Sequence, residues 1–305
     1  MANLRDIRTR ISGVQNTQKI TKAQELVSAA KMRRALRAME ASRPYSEGIA
    51  RMLSRLASRK LDVTHPFLEA REVKNRAVIL VTADRGLAGG LNINAIRAAN
   101  RLIAGNPTGG ASSAATPVKM VTIGRKGRDF FRRFNARSGK GVELVADQSM
   151  VGDRPPLSEI RPAVTVAMQE FLSDSVDEVW LVYSRYINAA SQQPTTVRLI
   201  PPEIPEVVDS AQHSGPQSLY EFDPSAEEVL GALLPRYVES QVYHALLENQ
   251  ASEQGARMTA MRSASDNAVE LIADLTLVRN KLRQATITNE LMEIVGGAEA
   301  LAQAS

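Results

Sequence analysis

Apolar residues at the start of the chain recur at helical spacing. Leu4, Ile7, Ile11 and Val14 lie three or four residues apart and form a single stripe. Asn3 to Arg43 has no proline and one glycine, Gly13, so the pattern predicts a long helix that ends or kinks at Pro44. Ser46 to Lys60 resumes the spacing through Ile49, Leu53 and Leu56. The other end of the chain reads the same way. Arg236 to Ser305 lacks proline and is filled with strong helix formers, and the helix is expected to begin near Asp223-Pro224. Ser225 with Glu228 makes a capping box there. Leu230, Leu234, Val238 and Val242 form one stripe, and Leu271, Leu275, Val278 and Leu282 another. Between them the stripe thins to Ser252, Ala256, Thr259, Ala260 and Ser263. The first helix thins likewise at Thr17, Thr21, Ser28, Ala29 and Ala30. A helix of this length needs a partner along its side. The two ends are therefore read as an antiparallel pair; the alternative is two long helices packed separately on a globular body.

The middle of the chain changes period. Ala77 to Thr82 is a continuous apolar run of buried-strand type, followed by a glycine-rich turn, Asp84 to Asn92, and a helix over about Ile93 to Ala104. Val118 to Ile123 is a second strand, with a helix through Phe130, Phe131 and Phe134 behind it. Val142 to Val145, Glu178 to Tyr183 and Thr196 to Ile200 are further strands, and Leu157 to Leu172 is a helix with Pro162 in its first turns. Alternation of this kind implies an α/β sandwich with a largely parallel, Rossmann-like sheet. The segment 105–117 is small and polar and reads as a surface loop; 201–218 is rich in proline and reads as a linker or surface excursion. The expected organisation is a coiled-coil helix over 1–60, an α/β domain over 76–205, a linker or foot segment over 206–222, and a second coiled-coil helix over 223–305.

Composition narrows the chemistry. The chain has no cysteine, which excludes disulfides, thiol nucleophiles and thiolate metal sites, and only three scattered histidines. Nothing approaches the roughly 18 consecutive apolar residues of a membrane span. The start of the chain lacks the apolar core of a signal peptide, so a cytoplasmic setting is expected. The net charge of +5 is unevenly placed. Residues 1–43 hold ten basic and three acidic side chains, a surplus of seven, so the rest of the chain is net −2. One sign dominating over several helical turns favours an acidic partner: protein, nucleic acid or anionic lipid.

Catalytic chemistry finds little footing. The turn after the first strand reads G-x-x-G-G, which is neither the dinucleotide fingerprint nor a P-loop. Arg85 to Arg128 contains no carboxylate to hold a ribose hydroxyl. Gly124-Arg125-Lys126-Gly127-Arg128 could hold a 2′-phosphate, which keeps an NADP-dependent oxidoreductase with helical oligomerisation arms as the alternative. The basic residues have no interleaved aromatics and no zipper follows them, so a nucleic-acid-binding coiled coil is a weaker third reading. No catalytic, cofactor or metal residue is assigned.

The segments Ile7–Ala35 (IRTRISGVQNTQKITKAQELVSAAKMRRA), Thr82–Asn92 (TADRGLAGGLN), Leu233–Ala268 and Ile287–Leu301 (ITNELMEIVGGAEAL) closely resemble the gamma subunit of bacterial F-type ATP synthases, along essentially the whole chain. The resemblance implies a non-catalytic rotor. Proton flow would turn a membrane c-ring and the paired helices with it, and the helices would drive the beta subunits through their binding states. It implies one copy per three alpha and three beta subunits, an epsilon subunit and a c-ring at the foot, and a peripheral place on the cytoplasmic face of the plasma membrane. It implies no nucleic acid and no cofactor. By position, Lys19, Lys22, Arg33 and Arg34 would face an acidic loop of the beta subunits. Arg257, Arg283, Gln284, Thr288 and Glu290 carry over as contacts to the alpha/beta head. Tyr220, Glu221 and Asp223 carry over as contacts to the c-ring and epsilon. The apolar tail Ile287, Leu291, Ile294, Val295 and Leu301 would sit in a hydrophobic collar. Gln24 and Ala88 depart from the residues common in the family, Met and in some members Cys, and Glu221 stands where an apolar residue is common.

Overall fold

The fold is that of a computed structural model, which describes residues 4–58, 65–104, 117–138, 142–150, 152, 155–203 and 225–304. The elements run α1 (Leu4–Ser58), a 3-10 turn (Pro66–Leu68), β1 (Arg76–Val81), α2 (Leu91–Ile103), β2 (Val118–Ile123), α3 (Arg125–Ser138), β3 (Val142–Gln148), α4 (Leu157–Leu172), β4 (Glu178–Tyr186), β5 (Gln192–Ile200) and α5 (Ala226–Ala304). The five strands form one sheet in the order β3-β2-β1-β4-β5. The first four are mutually parallel and β5 returns antiparallel to β4. β1 is the centre of the sheet and buried at every position, as its unbroken apolar run requires. Pro194 lies in β5, an edge strand, where a residue without an N–H is tolerated.

The chain compacts into two units, one of 1–27 with 258–305, the other of 28–257. In the second unit the sheet is covered on both faces. Val78, Leu80, Val118, Met120 and Val182 meet Ala95, Ala99 and Leu102 of α2 and Phe131 of α3. The opposite face, with Ile79, Val81, Val121, Val179 and Leu181, meets Ile160, Val164 and Phe171 of α4. The same core takes in Leu230, Leu234, Val238 and Val242 of α5 and Ile49 and Leu53 of α1. That α5 stripe thus belongs to the sheet core as well as to the helix pair.

In the first unit the least exposed positions on each helix follow a seven-residue repeat. On α1 they are Leu4, Ile7, Ile11, Val14, Gln18 and Thr21; on α5 they are Met261, Ser265, Ala268, Ile272, Leu275, Arg279 and Leu282. A 3-4 alternation of this kind is the seam of an antiparallel helical pair. Leu271 and Val278, expected in that seam, stand outside it at 42% and 45% exposure.

Of the two outcomes expected at Pro44, an end or a kink, the end is not seen, and one strand boundary moves. Helix α1 does not end at Pro44 but carries it as an interior residue. Pro44 is exposed, so its ring stands on the solvent side while Arg43 and Glu47 pair across it at 2.7 Å. Strand β5 begins at Gln192 rather than near Thr196, because its polar first half is held by backbone pairing to β4 and not by apolar burial. The capping box at Ser225 is half formed: Ser225 Oγ accepts from Glu228 N–H at 3.2 Å.

Candidate partner-binding surface

The basic residues expected to meet a partner are on the outside of α1. Lys19, Lys22, Arg33 and Arg34 are all exposed. Lys22 is tied to Glu25 at 2.9 Å, an exposed pair of the i,i+3 type worth about 0–1 kcal/mol. The sequence reading missed the apolar residues beside them. Ile20, Leu26 and Val27 are 65%, 63% and 52% exposed, because they fall off the seven-residue seam. Their helical phase was the available signal. The outer face of this part of α1 is therefore mixed, cationic and apolar together, which suits a protein partner better than a polyanion.

On α5 the expected contact residues divide. Arg283, Gln284, Thr288 and Glu290 are exposed, and the Thr288 hydroxyl donates back to the Gln284 carbonyl at 3.0 Å. Ile287, Leu291, Ile294 and Val295 are between 49% and 68% exposed, a run of large apolar side chains that no described residue of the first unit covers. Leu301 lies outside the described side chains.

Arg257 is placed differently from the others. It is 5% exposed, and its Nε and Nη2 donate to the Gly86 carbonyl at 3.3 and 3.2 Å. Nη2 also donates to Glu253 at 2.5 Å. The guanidinium is occupied within the chain and holds α5 to the glycine-rich turn, where Ala88, Leu91 and Ala256 pack together. Tyr220, Glu221 and Asp223 lie outside the described residues.

The junction between β2 and α3 bears on the nucleotide alternative. The N–H of Arg125 donates to Asp84 Oδ1 at 2.9 Å, that of Lys126 to the Ala83 carbonyl at 3.1 Å, and that of Gly127 to Thr82 Oγ1 at 2.9 Å. These are the amides at the start of α3 that a phosphate would need, and each already has a partner. The Arg128 guanidinium is held by Asp129, Asp147 and Ser149. Gly124 serves packing: it has φ +108°, and a Cβ there would fall 2.1 Å from the Thr82 carbonyl oxygen. Among the described residues no helix is long and apolar enough to cross a membrane, and no cluster of His, Asp and Glu could hold a metal ion.

The family model described as ATP synthase matches residues 3–301. The ATP synthase gamma chain of Desulfitobacterium hafniense is 46% identical over 301 residues, covering 99% of this chain and 100% of the relative. That of Glaesserella parasuis is 43% identical with the same coverage. Among solved structures, the rotor of the Euglena gracilis mitochondrial ATP synthase matches with a TM-score of 0.59 and 18% identity, covering 93% of this chain and 98% of that one. The central stalk and c-ring structure of the Tetrahymena thermophila enzyme contains a chain matching with a TM-score of 0.56 and 23% identity, covering 81% and 99% respectively. The last two likenesses establish a common fold.

Proposed function

Because the chain belongs to the gamma-chain family of ATP synthases, we propose that it is the central-stalk rotor of a proton-translocating F-type enzyme. It is a mechanical, non-catalytic subunit that couples c-ring rotation to conformational cycling of the beta subunits. The alpha and beta subunits are its partners at the head, with epsilon and the c-ring at the foot, on the cytoplasmic face of the plasma membrane. The supporting observation is the exposed mixed surface on two paired helices: Lys19, Ile20, Lys22, Leu26 and Val27 on α1, and Arg283 to Val295 on α5. A contact that must form and break each turn is better made from exposed ion pairs, at about 0–1 kcal/mol each, than from an interlocking apolar core. The oxidoreductase alternative finds no support, since the amides it would use are already bonded.

The test is co-expression with the alpha and beta subunits of the same organism, followed by size-exclusion chromatography and an ATPase assay. One copy co-eluting with a hexamer, and turnover that depends on it, is the expected outcome. A chain that runs alone while the hexamer is equally active without it overturns the proposal. Within that assembly, Arg283→Ala with Gln284→Ala should slow turnover without unfolding the chain. Hydrogen bonds of charged groups are worth about 1.5–3 kcal/mol each. Unchanged turnover and assembly would remove both residues from the contact surface.

A further inference from the structure

Strand β4 is longer than its parallel neighbour. Pairing with β1 stops at Leu80 and Val182, but β4 runs on to Tyr186. Its other flank stays paired with β5 out to Gln192. Ser184 stands opposite Pro194 in that register, but its own N–H and C=O face the other flank, the one β1 has left. The backbone of Ser184 is buried nonetheless, at 2% exposure, and must be satisfied from somewhere.

Side chains of α5 supply what the missing strand would. Asn249 Oδ1 accepts from Ser184 N–H at 3.2 Å, and Ser252 Oγ donates to the Ser184 carbonyl at 2.8 Å. Glu248 Oε1 accepts from Tyr186 N–H at 3.2 Å and lies 3.9 Å from the Arg185 guanidinium. Asn249 is 2% exposed, Ser252 0% and Glu248 8%. Further along α5, Arg257 reaches the Gly86 carbonyl. At Gly255 the helix meets the β4–β5 turn in ordinary contact: a Cβ there would lie 3.4 Å from Ala189 Cα. The helix is thus fastened to the end of β4 and to the glycine turn by bonds to main-chain atoms.

We infer that Glu248, Asn249, Ser252 and Arg257 form the torque-bearing joint between the α/β domain and α5. The inference rests on the rotor reading. The apolar stripe Leu230 to Leu246 holds the helix on the sheet, but apolar packing has no direction and resists separation more than sliding. A hydrogen bond has a direction and weakens steeply when displaced. The polar joint fixes the register of helix on sheet, and torque entering through the α/β domain is passed to α5 through it. These are positioning residues.

The test uses the whole enzyme in inverted membrane vesicles, with ATP hydrolysis and ATP-driven proton pumping read side by side. Asn249→Ala with Ser252→Ala should leave hydrolysis close to wild type and reduce protons pumped per ATP several-fold, because the shaft slips against the foot. The chain is free of cysteine, so Ala189→Cys with Gly255→Cys can be added to lock the same joint covalently. The short spacing at Gly255 suits a disulfide. Oxidation should restore pumping per ATP, and reductant should abolish the rescue. An assembled double variant that pumps as well per ATP as wild type overturns the inference, as does slippage that the disulfide leaves uncorrected. If the double variant fails to assemble, Ser252→Ala alone carries the test: partial slippage supports the joint, and unchanged coupling overturns it. A wild-type complex that neither hydrolyses nor pumps would instead strike the rotor reading itself.

Discussion

A histidine that accepts a hydrogen bond through one ring nitrogen carries no proton on that nitrogen. His65 Nδ1 accepts from Phe67 N–H at 3.1 Å and caps the 3-10 turn. Burial lowers its pKa, opposed by the carboxylate of Glu227. His244 is also lowered, first by burial; Glu248 and Glu47 oppose the shift and Arg43 adds to it. Its Nδ1 lies 3.2 Å from Ser42 Oγ of α1. Both rings therefore bind protons more readily in the unfolded chain, at the ordinary value of about 6.5. The stability they contribute is complete above that value and is lost as pH falls through it towards the lowered native values. The melting temperature should fall between about pH 7 and 5.5, above the usual carboxylate range, and fall less when His65→Asn and His244→Gln are combined. Parallel melting curves for the two proteins would exclude this origin. At the same scale, Arg257 teaches a limit of reading by position. Its residue type fits a partner contact, but only the fold shows Gly86 and Glu253 already around it.

Helices α1 and α5 were legible because each carries an unbroken helical composition over many turns. The strands β1 and β2 were legible because their apolar runs are short and flanked by turns. What the sequence hid was decided by pairing. The first half of β5, Gln192 to Thr195, is polar and contains Pro194, so neither period nor propensity marks it; β4 holds it. At Pro44, where an end or a kink was expected, the helix runs on for a related reason. An interior proline removes one helical bond and crowds the preceding turn, at a cost of about 3 kcal/mol, which an isolated helix could not absorb. Here Ile49 and Leu53 beyond it are locked into the sheet core, and helix is kept on both sides. Pro44→Ala should therefore stabilise the chain. With each kcal/mol worth roughly 2–4 °C in a domain of 150–250 residues, thermal unfolding followed by circular dichroism should rise by several degrees. No change would mean that the proline's strain is already relieved within α1.

For the molecule as a whole, the family was written in long, specific segments, while the joint between helix and sheet was not. Asn249 and Ser252 look like ordinary polar residues of a helix face until the overhang of β4 is seen beside them. That arrangement also fixes an order of events during synthesis. All five strands and α4 are complete when the ribosome reaches residue 200, yet the α5 share of the cover on one face of the sheet begins only at Leu230. Until it emerges, the nascent chain shows Ile79, Val81 and Leu181 without their α5 cover, together with a strand end whose main-chain groups await Asn249 and Ser252. An open edge beside exposed apolar surface is a template for self-association. Chains terminated at residue 225 should accumulate as aggregates, whereas chains extended to residue 257 should remain in solution. The last helix to be made is thus the one that closes the domain made before it.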